Sequence, residues 1–130
     1  MNSIEMTTIM KKHTATKNHY LGTFSLDNLP KKVEYPSCLI FNNQKSDQPG
    51  QHWIAIYFDK RENSEFFDSY GNGPDYYGIK DYLEKNSKRI VWNKKCIQSI
   101  DSVYCGFYCI LYLISKCKGR SLKYFLGLFE

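Results

Sequence analysis

Hydrophobic positions along the chain switch between two periodicities. Residues 2–12 carry Ile4, Met6, Ile9 and Met10 at helical spacing, which predicts a short amphipathic helix. The stretch 20–30 has no clear period and contains Gly22 and Pro30, so it reads as an irregular connection. Cys38, Leu39, Ile40 and Phe41 are continuously apolar within residues 37–42, as expected of a strand buried on both faces. A polar loop over 42–50 follows. Two β-favouring runs, 52–59 and 64–70, flank the charged tetrad 60–63 and predict a hairpin.

Beyond Gly71 and Pro74, a helix capped by Asp75 is expected through Asn86, with Tyr77, Ile79, Tyr82 and Leu83 inward. Residues 89–92 form a short strand. Asp101 or Ser102 caps a further helix whose apolar residues run through Cys105, Tyr108, Cys109, Leu111, Tyr112 and Ile114 until Gly119 stops it. A last helix is expected over 122–129. This order predicts an α+β domain spanning 1–130, with helices packed on a central, mostly antiparallel sheet.

Composition narrows the function. The chain has 130 residues with 42% hydrophobic and 24% charged, enough apolar material for one core and too much for a disordered chain. No run approaches the roughly 18–20 apolar residues that cross a bilayer, so no membrane partner is expected. Five cysteines in no framework spacing point to reduced thiols and an intracellular location. The net charge of +5 is compatible with a DNA contact through Lys11, Lys12, Lys31, Lys32, Lys94 and Lys95, although such lysines are more often solvated surface. A zinc site from Cys105, Cys109 and Cys117 lacks paired spacing or a neighbouring histidine.

A cysteine nucleophile needs a thiolate, a base and donors for the oxyanion. Cys105 falls in the first turn of a predicted helix, where the macrodipole and free N–H groups lower a thiol pKa. Gly106 leaves room for an approaching substrate backbone. Cys109, one turn deeper, reads as core. In the predicted hairpin, His52 lies opposite Asp68, Ile54 opposite Phe66 and Ile56 opposite Ser64, which puts His52 and Asp68 on one face. Asp59 points to the opposite face about 23 Å away at roughly 3.3 Å per residue, so it is excluded as the acid. The bland alternative for Asp68 is closing the turn before Gly71. Gln98 can fold back beside the helix start as an oxyanion donor, or be a surface amide. Trp53 and Tyr70 are expected to pack around the site.

Three segments, QHWIA from position 51, FDSYG from 67 and QSIDSVYCGFYC from 98, resemble the adenovirus protease family and the wider Ulp1-like cysteine proteases. YLGTF from position 20 resembles a segment near the start of the adenoviral enzymes. The resemblance covers roughly residues 19–117 and implies a papain-like fold with circularly permuted order. It implies His52 as base, Asp68 as third member where the adenoviral enzymes carry Glu, Gln98 as oxyanion donor and Cys105 as nucleophile. It also implies a monomeric peptidase cleaving Gly-containing sites in viral or transposon precursor proteins, in host cytoplasm, nucleus or virion. No cofactor is required by the sequence, whereas the resemblance implies activation by DNA or by a disulfide-linked peptide. Cys96 lies closer to Gln98 than the attachment cysteine does in that family. A Ulp1-like deconjugase of ubiquitin-like modifiers and a non-catalytic DNA-binding protein of the same fold are the alternative readings.

Overall fold

The computed structural model describes residues 1–44, 52–97 and 104–130. Helix α1 (Ser3–Lys12) leads into strand β1 (Tyr20–Phe24), then β2 (Ser37–Asn42), β3 (Trp53–Phe58) and β4 (Ser64–Phe67). Helix α2 (Lys80–Asn86), strand β5 (Ile90–Trp92) and helices α3 (Cys105–Cys117) and α4 (Leu122–Gly127) complete the chain. The five strands form one sheet in sequence order, with β2–β3 and β3–β4 antiparallel and β1–β2 and β4–β5 parallel. The expectation of a mostly antiparallel sheet is corrected: half of the four pairings are parallel. The α+β class with helices flanking a central sheet stands.

Local chemistry explains several boundaries. Asn2 caps α1 in a capping box with Glu5, each side chain bonding the other's backbone N–H at 2.9 and 3.2 Å. Met6 and Met10 are buried while Ile4 is 76% exposed, so the apolar stripe is narrower than the sequence implied. The stretch read as irregular contains β1, whose pairing slips between Tyr20 and Thr23 around Gly22, at φ 147°. The helix expected over 75–86 is divided: a 3₁₀ turn over Pro74–Tyr77 ends in left-handed Gly78, and α2 starts after it. Asp75 therefore lies inside a turn preceded by Gly73 and caps nothing.

Apolar side chains on the two faces of the sheet make two cores. On one face, Cys38, Ile40, Ala55 and Phe67 meet Met6 and Met10 of α1, Cys109, Ile110, Tyr112 and Leu113 of α3, and Phe125 of α4. On the other, Leu39, Phe41, Ile54, Ile56, Phe58 and Phe66 meet Ile79 and Leu83. β2 supplies both cores, as its continuous apolar run predicted. In α3 the buried stripe includes Ile110 and Leu113, whereas Leu111 is half exposed. The helix is rotated relative to the stripe read from sequence. Among the described residues no helix is long and apolar enough to cross a membrane.

Candidate active site

The β3–β4 hairpin positions the first two groups. Its turn is built by Asp59, whose Oδ1 accepts the N–H groups of Arg61 at 2.8 Å and Asn63 at 2.9 Å, with Glu62 in the left-handed region at φ 65°. Asp59 thus belongs to the loop, and the pairing becomes Ile56 with Phe66 and Phe58 with Ser64. This differs by two residues from the expected register. An even displacement preserves the face of every side chain, so His52 and Asp68 still meet, now diagonally. His52 Nε2 and Asp68 Oδ1 are 2.5 Å apart and both side chains are buried. Tyr70 takes the place beside His52, its ring stacked at 4.3 Å between centroids and 14° between planes.

Asp68 lies just past the end of β4, in a turn closed by a hydrogen bond from Gly71 N–H to its carbonyl at 2.8 Å. The turn-closing and histidine-binding readings are therefore both satisfied. Its carboxylate is fully engaged: besides His52, Oδ1 accepts Tyr70 N–H at 3.1 Å, and Oδ2 accepts Asn72 N–H at 3.1 Å and the Tyr77 hydroxyl at 2.6 Å. Burial and the Asp68 carboxylate push the Tyr77 phenol far up, keeping it a donor. Behind the turn, buried Asn93 accepts Asp68 N–H at 3.0 Å and donates to Asp68 O at 2.5 Å and to Lys95 O at 3.1 Å. Nothing in the sequence singled out Asn93, Asn72 or the Tyr77 hydroxyl. Tyr77 read as core.

The third group arrives on α3, which begins at Cys105 with Tyr104 preceding it. The predicted caps Asp101 and Ser102 lie outside the described residues, as does Gln98. Cys105 is buried, accepts the Trp53 backbone N–H at 3.5 Å, and lies within hydrogen-bonding reach of the His52 ring. Burial alone would raise this thiol. The bond and charge of His52, with N–H groups of Trp53 and Gly106, outweigh it and leave the thiol below its ordinary value. For His52, burial alone would lower the pKa, but Asp68 and Cys105 outweigh it and raise the imidazole to about 9. With Nε2 held by Asp68, buried Nδ1 makes no hydrogen bond of good geometry among the described residues and is the nitrogen left for proton exchange.

Gly106 does not serve the purpose expected of it. A Cβ there would lie 2.4 Å from Met6 Cε, so α1 fills the space that the sequence reading left for substrate. Cys109 is fully buried, as expected. Among the described residues no three His, Cys, Asp or Glu side chains converge as metal ligands. The six candidate DNA-contacting lysines are all exposed. Lys11 bonds Tyr20 O at 2.8 Å, Lys95 pairs with Glu130 at 2.8 Å and Lys94 lies over Trp92, so three of them have local partners.

No protein-family model matches the chain. A protein of Acanthamoeba polyphaga mimivirus, named as thiol protease R355, is 31% identical over 92 residues, which cover 62% of this chain and 30% of that relative. Among solved structures, the ASFV pS273R protease aligns over 95% of this chain and 60% of its own, with a TM-score of 0.67 and 14% identity. The central domain of the uncharacterized Lpg1148 protein from Legionella pneumophila aligns over 95% of this chain and 80% of its own, with a TM-score of 0.55 and 17% identity. The chain thus spans about a third of its mimivirus relative. In architecture it is similar to the ASFV pS273R protease.

Proposed function

We propose that this chain is a cysteine protease of viral type in which Cys105 is the nucleophile, His52 the base and Asp68 the group that orients the imidazole. The observation that carries the reading is His52 held between Asp68 at 2.5 Å and a thiol whose pKa it depresses. The similarity to the mimivirus thiol protease supports the same chemistry.

In this mechanism the Cys105 thiolate attacks the substrate carbonyl, and His52 delivers a proton from Nδ1 to the departing amine. Asp68 fixes the tautomer and stabilises the imidazolium. The Trp53 N–H steadies the sulfur before attack. Gln98, seven residues ahead of Cys105, is assigned the oxyanion-donor role on the motif alone. Cleavage at Gly-containing sites and activation by DNA or peptide rest on the resemblance to the adenoviral enzymes.

An alkylating active-site probe tests the reading. Wild type is expected to label rapidly at pH 6 to 7, well below the ordinary thiol pKa of about 8.5, and Cys105→Ala to lose that labelling. Equal labelling of the two proteins, with and without DNA, would reject the assignment. Faster cleavage of Gly-Gly-linked modifiers than of Gly-containing peptides would turn the reading toward deconjugation.

A further inference from the structure

Two cysteines outside the site are brought together by the fold. Tyr20, Cys38, Tyr57 and Glu65 stand in register on β1, β2, β3 and β4, so their side chains lie in one row on the face that α3 covers. The last turn of α3 comes down over that row. Tyr112 donates to Glu65 Oε1 at 2.5 Å, and Lys116 pairs with Glu65 at 3.3 Å and lies over the Tyr57 ring at 5.5 Å. Only 14% of the Lys116 side chain and 15% of that of Glu65 are exposed, so water screens this pair less than a surface one. These contacts fix the end of the helix and with it Cys117. Its sulfur is within hydrogen-bonding reach of the Cys38 sulfur, and its side chain packs on the core that contains Cys38. Both are free thiols. They lie at the far end of the 13-residue α3 from Cys105, roughly 18 Å along its axis at about 1.5 Å per residue.

The two thiols differ as a reacting and a resolving cysteine must. Cys117 is half-buried, whereas Cys38 is fully buried. Burial alone would raise the Cys117 thiol. The hydrogen bond from Cys38 and the charge of Lys116 outweigh it and leave Cys117 below its ordinary value, while the same contact and burial push Cys38 well up. A thiolate that a small oxidant can reach therefore adjoins a protonated thiol that it cannot. Low pKa, access and a neighbouring second thiol are the three conditions for reversible oxidation to a disulfide.

We infer that Cys38 and Cys117 form a redox site, at which a small hydroperoxide such as hydrogen peroxide is reduced and a reversible disulfide ties the end of α3 to β2. The inference goes beyond the protease reading and does not depend on it. In the first step the Cys117 sulfur bonds one peroxide oxygen, the O–O bond breaks, and the leaving hydroxide is protonated to water. The Cys38 sulfur then attacks the resulting sulfenic acid. The S–S bond forms, the S–O bond breaks, and the departing hydroxide leaves as a second water with the Cys38 proton. The peroxide gains the two electrons that the thiols lose, and a dithiol reductant returns them with two protons.

The test uses the full chain carrying Cys105→Ala, which removes the other activated thiol. A few equivalents of hydrogen peroxide at neutral pH are expected to lower its intact mass by about 2 Da, the loss of two hydrogens. Peptide mapping should join Cys38 to Cys117 and leave Cys96 open to alkylation, and dithiothreitol should reverse the change. Adding Cys38→Ala should stop the reaction at a Cys117 sulfenic acid that dimedone captures. If that variant does not fold, the mapping alone decides, since it needs no substitution at either thiol. A bridge to any other cysteine, Cys117 carried to its sulfinic acid with Cys38 still reduced, or Cys96 oxidised at least as fast as Cys117 would overturn the inference.

Discussion

The two halves of the candidate site are held by different forces. At the acid–base end, Asp68 has four hydrogen bonds on its carboxylate and two more on its backbone from Asn93. At the nucleophile end, Gly106 beside Cys105 is wedged by apolar packing, with Met6 against it and Cys109 in the core one turn on. Directional bonds fix angles, so the loss of one atom can misplace the histidine. Packing fixes position by volume, and tolerates changes of chemistry that preserve shape. The catalytic reading requires both: an orientation-sensitive base and a sulfur that needs only to be in place.

Breaking the acid–base end should produce the largest change. Asp68→Asn keeps the shape but removes the charge that favours the imidazolium, and peptidase activity is expected to fall on the order of 10²–10⁴-fold, measured as kcat/KM. Retention of more than a tenth of the activity would remove Asp68 from the proposed triad. Asn93→Ala should lower both stability, by about 1–3 kcal/mol in denaturant titration, and activity, because it strips two bonds from the Asp68 backbone inside a buried pocket. At the packing end, Met6→Ala is expected to cost about 2–5 kcal/mol of stability. In the folded protein at saturating substrate it should change kcat by less than threefold, which contrasts the two ends directly.

Protonation sharpens the same comparison. Both members of the pair must be charged. Activity should therefore fall at low pH as Cys105 is protonated, below the ordinary thiol range, and fall again as His52 loses its proton at about pH 9. A profile that simply rises through the thiol range would contradict the ion pair. The smallest effect is expected from Tyr77→Phe, which removes one of the four donors to the Asp68 carboxylate and leaves the ring near His52. A loss of activity within about tenfold is expected, with the alkaline limb moved to higher pH, because the carboxylate loses a competing donor and holds the imidazolium more strongly. An unchanged profile would reduce Tyr77 to packing.

Much of this site was legible because its logic is local. β2 was read correctly at both ends, and His52, Asp68 and Cys105 converge as the alternation and the helix start implied. Other features depended on distant partners. The slip of two in the hairpin came from Asp59, whose carboxylate draws two backbone N–H groups into a longer turn. Gly106 was misread because its neighbour, Met6, is a hundred positions away in sequence. Tyr77 looks like any inward aromatic until the Asp68 carboxylate is placed beside its hydroxyl.

Apart from β1 and the division of the 75–86 helix, the order of elements, the face on which each strand residue falls and the residue types able to do thiol chemistry follow from the sequence alone, because periodicity and side-chain chemistry are properties of short segments. The parallel edges of the sheet, the hairpin register, the rotation of α3 and the hydrogen bonds that surround Asp68 were decided only in three dimensions. They depend on which surfaces exclude water together, and no segment carries that information by itself.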